Sequence, residues 1–501
     1  MTVAHHNKSG AATDVDVIVV GCGIAGLSAA ISAQQHGAKV ALLERAPIEE
    51  RGGNTRYTES FWRMKSEDEV SDDFETHFGK NAGGYLDPEI TKDAVRNYND
   101  WPAVLRTLNF ADPELISEFA AAAGPTLQWL KGFGVSFDFL PNYFISESTT
   151  RIAPIGGGWA LVEALAKYAE SVPNDIRVHY QTTAKSLIID DQGRIEGLNA
   201  VTANNRPERF NARGVILASG GFEGNPEMLS HYLGPDAQWI RPIARGGYYN
   251  RGEGVRMALD VGAAPGGDFG SFHAQPVDPR SGAIEPVVLS YAYGVLVNRD
   301  GKRFTDEAPA SVDATYEAVT RIILKQPEGI AYAIHDARMD DIDNWRKAVR
   351  SDQAPIEATT LMELAGKLGI DDERLQASIA AYNAACPEDL SQFDANRPDS
   401  LATSGLEPRK SNWSRPLDKP PFKAWPIMSA VCFTFGGLKT SPSAEVLNMD
   451  GEVIPGLYAA GETMGIYYRT YTGATSVMRG AVFGRKAGAD AANRFARSNT
   501  D

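Results

Sequence analysis

The stretch from Asp14 to Arg45, DVDVIVVGCGIAGLSAAISAQQHGAKVALLER, constrains the fold more than any other. Val15 to Val20 reads as a strand buried in a parallel sheet, with one acid, Asp16, ahead of the apolar run Val17 to Val20. Gly21, Gly23 and Gly26 follow as GxGxxG, and the alanine-rich run beyond them predicts a helix to about His36. A second strand, Lys39 to Leu43, ends on Glu44, 23 positions after Gly21. Gly21 permits a tight turn, Gly23 lets the backbone approach a pyrophosphate, and Gly26 lets helix and strand pack closely. The helix start, with Ala25 in its first turn, faces the phosphates. Glu44 is placed to accept hydrogen bonds from ribose hydroxyls, with Arg45 beside it. A glycine-rich turn alone says little. Strand, helix, second strand and terminal acid in one register predict a Rossmann-type dinucleotide site.

Three later stretches select FAD over NAD. RGGNTRYTESFWR at 51–63 offers Gly53, Asn54 and Thr55 as a loop pressed against a flavin and pyrophosphate. ARGVILASGGFEGNPE at 212–227 reads as a strand ending in Gly220-Gly221. IPGLYAAGE at 454–462 reads as a strand followed by Gly461-Glu462, a glycine–acid pair of the sort that approaches the ribityl chain. Ala184 is assigned to the same site. Only one GxGxxG follows a strand, which argues against a second dinucleotide domain for NAD(P)H. Residues 45–60 hold no histidine for a covalent link, so FAD is expected to be non-covalent.

Composition narrows the partners. A formal net charge of −15 disfavours nucleic acid and anionic membrane surfaces, though not a small acid met by local arginines. Three scattered cysteines form no disulfide framework, CxxC or CxxCH, and Cys22 in the phosphate turn reads as a packing residue. Eight histidines show no metal-ligand spacing, so no metal is expected. With no apolar run of membrane length and no apolar leader, a cytoplasmic, soluble protein is expected.

Residues 65–130 and GWALVEALAKYAESV carry helical spacing, and IRVHYQTTAKSLIIDDQGRIEGLNAV reads as strands turning at Asp191-Gln192-Gly193. The Pro, Asp, Ser and Asn content of 384–415 predicts an ordered loop.

The blocks RGGNT, IGGGWALVEAL, VILASGGFEGNPEM, GVLVNRDGKRFTDE, FTFGGLKT and VFGRKAG follow the N-terminal fingerprint over nearly the whole chain. Together they resemble the fumarate reductase/succinate dehydrogenase flavoprotein superfamily, in its order. APIEERGGNTRYT and WSRPLDKPPFKAWPIMSAVCFTFGGLKT most resemble tricarballylate dehydrogenase-like enzymes. The resemblance implies an α/β fold with a glutathione-reductase-like FAD-binding domain over 13–265 and 430–501. It also implies an inserted α+β substrate-capping domain over 266–429.

Within that resemblance, His273 falls at the HPT-like histidine that binds a substrate carboxylate. The proton-delivering arginine that follows RFxNE is missing from RFTDEAPASVDATYEA. Asp306 and Glu307 there read as partners of Arg303. Phe433 replaces the histidine of an HTMGG-like motif, and Tyr471 stands at the arginine of RLGGN. YTGAT is similar to the YPGAG of 3-ketosteroid dehydrogenases, although Ala310 stands where those enzymes carry a second tyrosine.

YYRTYTGATSV is therefore expected at the substrate face of the flavin. Thr475, Ser476 and Val477 open a helix whose N-terminus points at the ring's pyrimidine end. Tyr471, Arg469 and His273 are the expected catalytic residues, and Phe433, Tyr468, Arg151 and Arg245 the expected substrate contacts. A tyrosine base suits a proton already acidified by a carbonyl. The expected reaction is oxidation of CH–CH to C=C beside a ketone or carboxylate of a small organic acid. A cyclic keto acid such as 4-oxocyclohexanecarboxylate and a tricarballylate-like acid are the two substrate expectations. A fumarate-type reductase and a non-enzymatic flavin electron-transfer or sensor protein are the alternatives. The electron acceptor stays open among oxygen, a quinone and a partner protein.

Overall fold

In the computed structural model, residues 12–82, 92–93, 96–97, 100–108, 110, 112–139 and 151–498 are described. Strand β1 (Val17–Val20) is fully buried, helix α1 (Ile24–Gln35) leaves the glycine turn, and strand β2 (Val40–Leu43) returns parallel to β1. These two strands lie inside a six-stranded sheet of order 445–447, 453–459, 214–217, β1, β2, 176–179. All neighbours are parallel except the edge strand Glu445–Leu447. Loops leaving the carboxyl ends of these strands line a cavity, the usual ligand position in an open α/β sheet.

A second sheet forms around one long strand, which runs across the expected domain boundary at 429 and 430. Strand β3 (Phe272–Val277), helix α2 (Val312–Leu324) and strand β4 (Phe422–Thr434) are its functional parts. β4 pairs antiparallel with β3, with Ile330–His335 and with Ile356–Ala358, and parallel with Arg241–Pro242. Trp413, Trp425, Ile427 and the buried side of α2 fill the core behind it. The register of β3 shifts between His273 and Ala274, a bulge that re-aims the His273 side chain.

The last helix, α3 (Ser476–Ser498), brings the chain back onto α1. Gly484 and Gly488 make the contact possible. A Cβ on either would lie 2.2 Å from a backbone oxygen of α1, that of Ala25 or of Ala29. VFGRKAG is thus a helix-packing motif that presses the start of α3 against the phosphate turn.

The expected helix at 157–171 and the strands at 176–202 are present. Helices also occupy Phe74–Ala82, Ala103–Thr107 and Pro113–Lys131, while parts of the helical reading at 83–111 lie outside the described residues. The 384–415 loop is tied down by the buried Lys410, whose Nζ donates to the Gly294 carbonyl (2.7 Å) and to that of Ala292. No helix among the described residues is long and apolar enough to cross a membrane.

Candidate active site

One cavity of about 480 Å³ runs from the glycine turn to the face of the second sheet. At its cofactor end, Gly21 has φ +108°, and a Cβ there would lie 2.3 Å from the Ala218 oxygen. Gly23 differs: a Cβ would come no closer than 3.5 Å to any atom, so its missing side chain opens space at the phosphate position. Glu44 accepts the amide hydrogens of Cys22 (2.8 Å) and Ala46 (2.7 Å), which orient its carboxylate at the cavity wall. Burial raises its carboxyl, and those two N–H groups pull it back down. Cys22 is buried and its thiol is pushed up by that burial, in keeping with a packing role.

The other expected cofactor residues gather at the same cavity. Ala25, Arg45, Gly53, Asn54, Thr55, Ala184, Gly220, Glu462, Ser476 and Val477 all line it. Gly26 and Thr475 act one layer behind, in packing and in the start of α3. Thr55 Oγ1 accepts the Ile24 amide hydrogen at the start of α1. Asn54 Nδ2 donates to Glu223 (2.6 Å) and to the Cys432 carbonyl, whereas its buried Oδ1 has no partner. An orphaned acceptor at that position fits a ligand carrying an N–H or O–H. Glu462 accepts from the Thr434 amide (2.7 Å) and hydroxyl, and Asn250 Nδ2 lies between Glu462 and Glu223. Burial raises both carboxyls, and the charge of Glu462 pushes Glu223 further up. This lining fits FAD: a phosphate cradle, a ribose acceptor and polar groups along the path to the ring.

The opposite end is aromatic. The ring of Tyr471 lies 4.5 Å from that of His273 and 5.0 Å from that of Phe433. Tyr471 Oη accepts the amide hydrogens of Thr475 and Ser476, each at 3.0 Å, and donates to Ser476 Oγ (3.1 Å). The phenol oxygen therefore sits on the positive end of α3. His273 Nδ1 lies 3.1 Å from Glu317, which fixes the ring and leaves Nε2 toward the Tyr316 hydroxyl at 3.4 Å. Arg151 grips Asp313 with both Nη atoms, at 3.2 and 2.6 Å.

Three expected site residues are not at this wall. Tyr468 and Thr470 pair across Arg469, which has φ +53° and projects into solvent with its N–H on the Asp268 carboxylate. In this tight reversal Tyr467 and Tyr471 face inward, and Tyr468 turns away to accept the Gly267 amide hydrogen. Arg245 is also outside, with 69% of its side chain exposed and an ion pair to Glu50. Arg469, expected to be catalytic, and Tyr468 and Arg245, expected to contact substrate, thus lie outside the cavity.

Other side chains at the wall were not anticipated. Asp313, Tyr316 and Glu317 come from one face of α2, and their spacing by three and four would have linked them once a helix was recognised there. Glu285 and Arg350 stand in irregular segments and carry no such signal. Arg303 and Glu307 form the expected buried pair away from the cavity, whereas Asp306 accepts from the Ser411 amide (3.1 Å) and hydroxyl (2.6 Å) instead. Among the described residues no group of three or more His, Cys, Asp or Glu could hold a metal ion.

A family model described as an FAD binding domain matches residues 16–477. The chain is 29% identical to the NADH:acrylate oxidoreductase of Vibrio harveyi, over 96% of this chain and 50% of that protein. It thus spans about half the length of that relative. It is 28% identical to the fumarate reductase (cytochrome) of Shewanella frigidimarina, over 97% of this chain and 78% of that one. Among solved structures, a 3-ketosteroid Δ4-(5α)-dehydrogenase of Rhodococcus jostii in complex with 4-androstene-3,17-dione aligns with a TM-score of 0.66 and 25% identity. That match covers 97% of this chain and 99% of the other.

Proposed function

The chain belongs to the FAD-binding-domain family, and on that premise we propose a reaction at a CH–CH or C=C bond beside a carbonyl in a small, ring-bearing acid. Its fold is the mixed α/β FAD-binding fold with a capping domain, and it is an FAD-dependent oxidoreductase acting on CH–CH bonds. FAD, held without a covalent link, supplies the hydride exchange. Residues 266–429 act as the cap and bring His273, Asp313 and Tyr316 over the cavity.

The observation that carries this reading is the placement of Tyr471 Oη. Two amide N–H groups and a helix N-terminus converge on an oxygen held inside a wall of His273, Phe433 and Tyr316. That arrangement suits an oxygen that takes a proton from, or gives one to, the carbon beside the hydride-bearing carbon. The contact to Ser476 Oγ offers the proton a way onward. Arg63 and Arg151 each already hold a carboxylate. A tricarboxylate such as tricarballylate would meet a wall largely neutralised, whereas a flat or puckered ring would meet aromatic faces. The substrate reading is therefore a cyclic keto acid or its unsaturated form.

The two directions rest on different observations. The likeness to an NADH:acrylate oxidoreductase and to a fumarate reductase favours reduction of C=C and gives that direction the broader support. The missing proton-delivering arginine after RFTDE and the phenol of Tyr471 at the position of a substrate-binding arginine support desaturation, as does the likeness to a ketosteroid dehydrogenase. A role in electron transfer or sensing alone is set aside by the family.

The test uses one redox couple under anaerobic conditions. Oxidised enzyme is mixed with 4-oxocyclohexanecarboxylate, and reduced enzyme with 4-oxocyclohex-2-enecarboxylate, while flavin absorbance is followed. Bleaching in the first mixture supports desaturation, and rapid return of the yellow colour in the second supports reduction. Tricarballylate and fumarate serve as open-chain comparisons. If these two react and the ring acids do not, the ring-bearing reading is wrong.

A further inference from the structure

The arginines along the cavity are held by protein groups. Arg63 holds Asp73 (2.6 Å) and lies on the Gly473 carbonyl, Arg151 holds Asp313, and Arg479 donates to the Met464 carbonyl beneath the aromatic rings. Arg350 sits between two carboxylates. Its Nη2 is 2.6 Å from Glu59, in the loop after the RGGNT segment, while its Nη1 is 3.5 Å from Glu285. That second contact is the longest ion pair along the cavity among the described residues.

The backbone sets this geometry. Val288 bridges Val349, and the Arg350 amide donates to the Val287 carbonyl at 2.9 Å, so Arg350 is fixed beside the Glu285 loop. Glu285 itself has φ +47°, a left-handed conformation that a non-glycine residue adopts at some cost. Its side chain is only 14% exposed, and Glu59, Glu285 and Arg350 all line the cavity. A strained, buried carboxyl loosely paired with an arginine in a substrate cavity is a place-holder geometry. A stronger or better-placed carboxylate can take its position.

We propose that Arg350 binds the carboxylate of the substrate, and that Glu285 is the resident group which this carboxylate displaces. The inference rests on the ring-bearing acid reading and adds to it the group that holds the acid. It puts the acid at Arg350 and leaves the carbonyl end of the substrate toward His273 and Tyr471. The displaced Glu285 is left without its cation in a buried position, and it takes up a proton from solvent to become neutral. Burial pushes its carboxyl up to about 7, with Arg350 pulling it down and the Glu59 charge pushing it up. The Cys432 thiol also faces it, and the neighbouring Asp278 carboxylate is held by Arg280 (2.7 Å) and Ser351 (2.8 Å). Binding of an acid is therefore linked to proton uptake, and it weakens as pH rises above about 7.

The experiment titrates oxidised, FAD-loaded enzyme with benzoate and with benzamide, following the flavin spectrum at pH 6 and pH 8. Wild type is expected to bind benzoate more tightly at pH 6 than at pH 8, with no such trend for benzamide. Arg350→Gln is expected to weaken benzoate by about tenfold or more, the worth of a charge-assisted hydrogen bond, and to leave benzamide unchanged. Benzamide binding also shows that the variant is folded. Glu285→Gln is expected to flatten the pH trend and to tighten benzoate at pH 8. Unchanged benzoate affinity in Arg350→Gln would overturn the assignment, as would a wild-type pH trend in Glu285→Gln. Wild-type enzyme that binds neither compound would instead overturn the ring-bearing acid reading, and this inference with it.

Discussion

Replacing Tyr471 by phenylalanine removes one oxygen and keeps the ring against His273 and Phe433. Its structural cost follows from what the oxygen touches. The Thr475 and Ser476 amides, both at 3.0 Å, lose their acceptor, and Ser476 Oγ loses a donor at 3.1 Å. Lost neutral hydrogen bonds cost about 0.5–1.5 kcal/mol each. The start of α3 also loses a cap, which costs about 1 kcal/mol in comparable helices. The cap consists of those same two amides, so the three contacts together total about 1.5–4.5 kcal/mol, which leaves the variant folded and yellow. The chemical cost is larger, because loss of a positioned proton carrier slows a reaction by about 10²–10⁴-fold, or about 3–5 kcal/mol of barrier. Anaerobic stopped-flow measurement of flavin absorbance with the ring keto acid couple separates the two effects. Tyr467→Phe is the control: it loses a hydrogen bond of 2.8 Å to Thr475 Oγ1, but Tyr467 does not line the cavity. A Tyr471→Phe rate within about tenfold of wild type, or an equal loss in Tyr467→Phe, would refute the proton-carrier role.

Other outcomes follow from the same geometry. Burial raises the Glu285 carboxyl from 4.5 to about 7, so its contribution to stability is complete below about 4.5 and disappears as pH rises through 7. That span corresponds to about 3 kcal/mol, and denaturant melts should show Glu285→Gln gaining on wild type by about this much between pH 4.5 and pH 8. Glu307 is fully buried, holds Arg303 at 2.9 and 2.7 Å and accepts the Leu296 amide hydrogen. Glu307→Gln leaves the Arg303 charge poorly compensated and should cost about 3–5 kcal/mol in a urea melt; a loss under 1 kcal/mol would contradict a buried pair. A Cβ at Gly26 would lie 1.8 Å from the Gly21 oxygen, so purified Gly26→Ala should retain far less FAD by its visible spectrum. Arg469→Ala and Arg245→Ala alter exposed side chains outside the cavity and should leave flavin reaction rates within about twofold of wild type.

The parts legible in the sequence were local ones. β1, the glycine turn, α1, β2 and Glu44 lie within one short span, where apolar periodicity, turn chemistry and steric room at glycine act over neighbouring residues. VFGRKAG was recognisable as a block, yet its glycines acquire a purpose only where α3 meets Ala25 and Ala29 of α1. Tyr471 was singled out by the family resemblance, at the arginine of RLGGN and in YTGAT, and the structure sets it just before the helix that begins at Ser476. Arg469 and Tyr468 were misplaced because a single left-handed residue reverses the chain and decides which side chains point inward. The pairings that shape the substrate end join residues far apart: Arg151 with Asp313, Arg350 with Glu59, and Glu462 beside Glu223. Their charges interact only after two sheets and their loops have packed around one cavity. Sequence alone therefore determined the cofactor fold and the neighbourhood of the flavin. Tertiary structure decided which charged groups face the substrate, because packing sets which carboxylate neutralises which arginine.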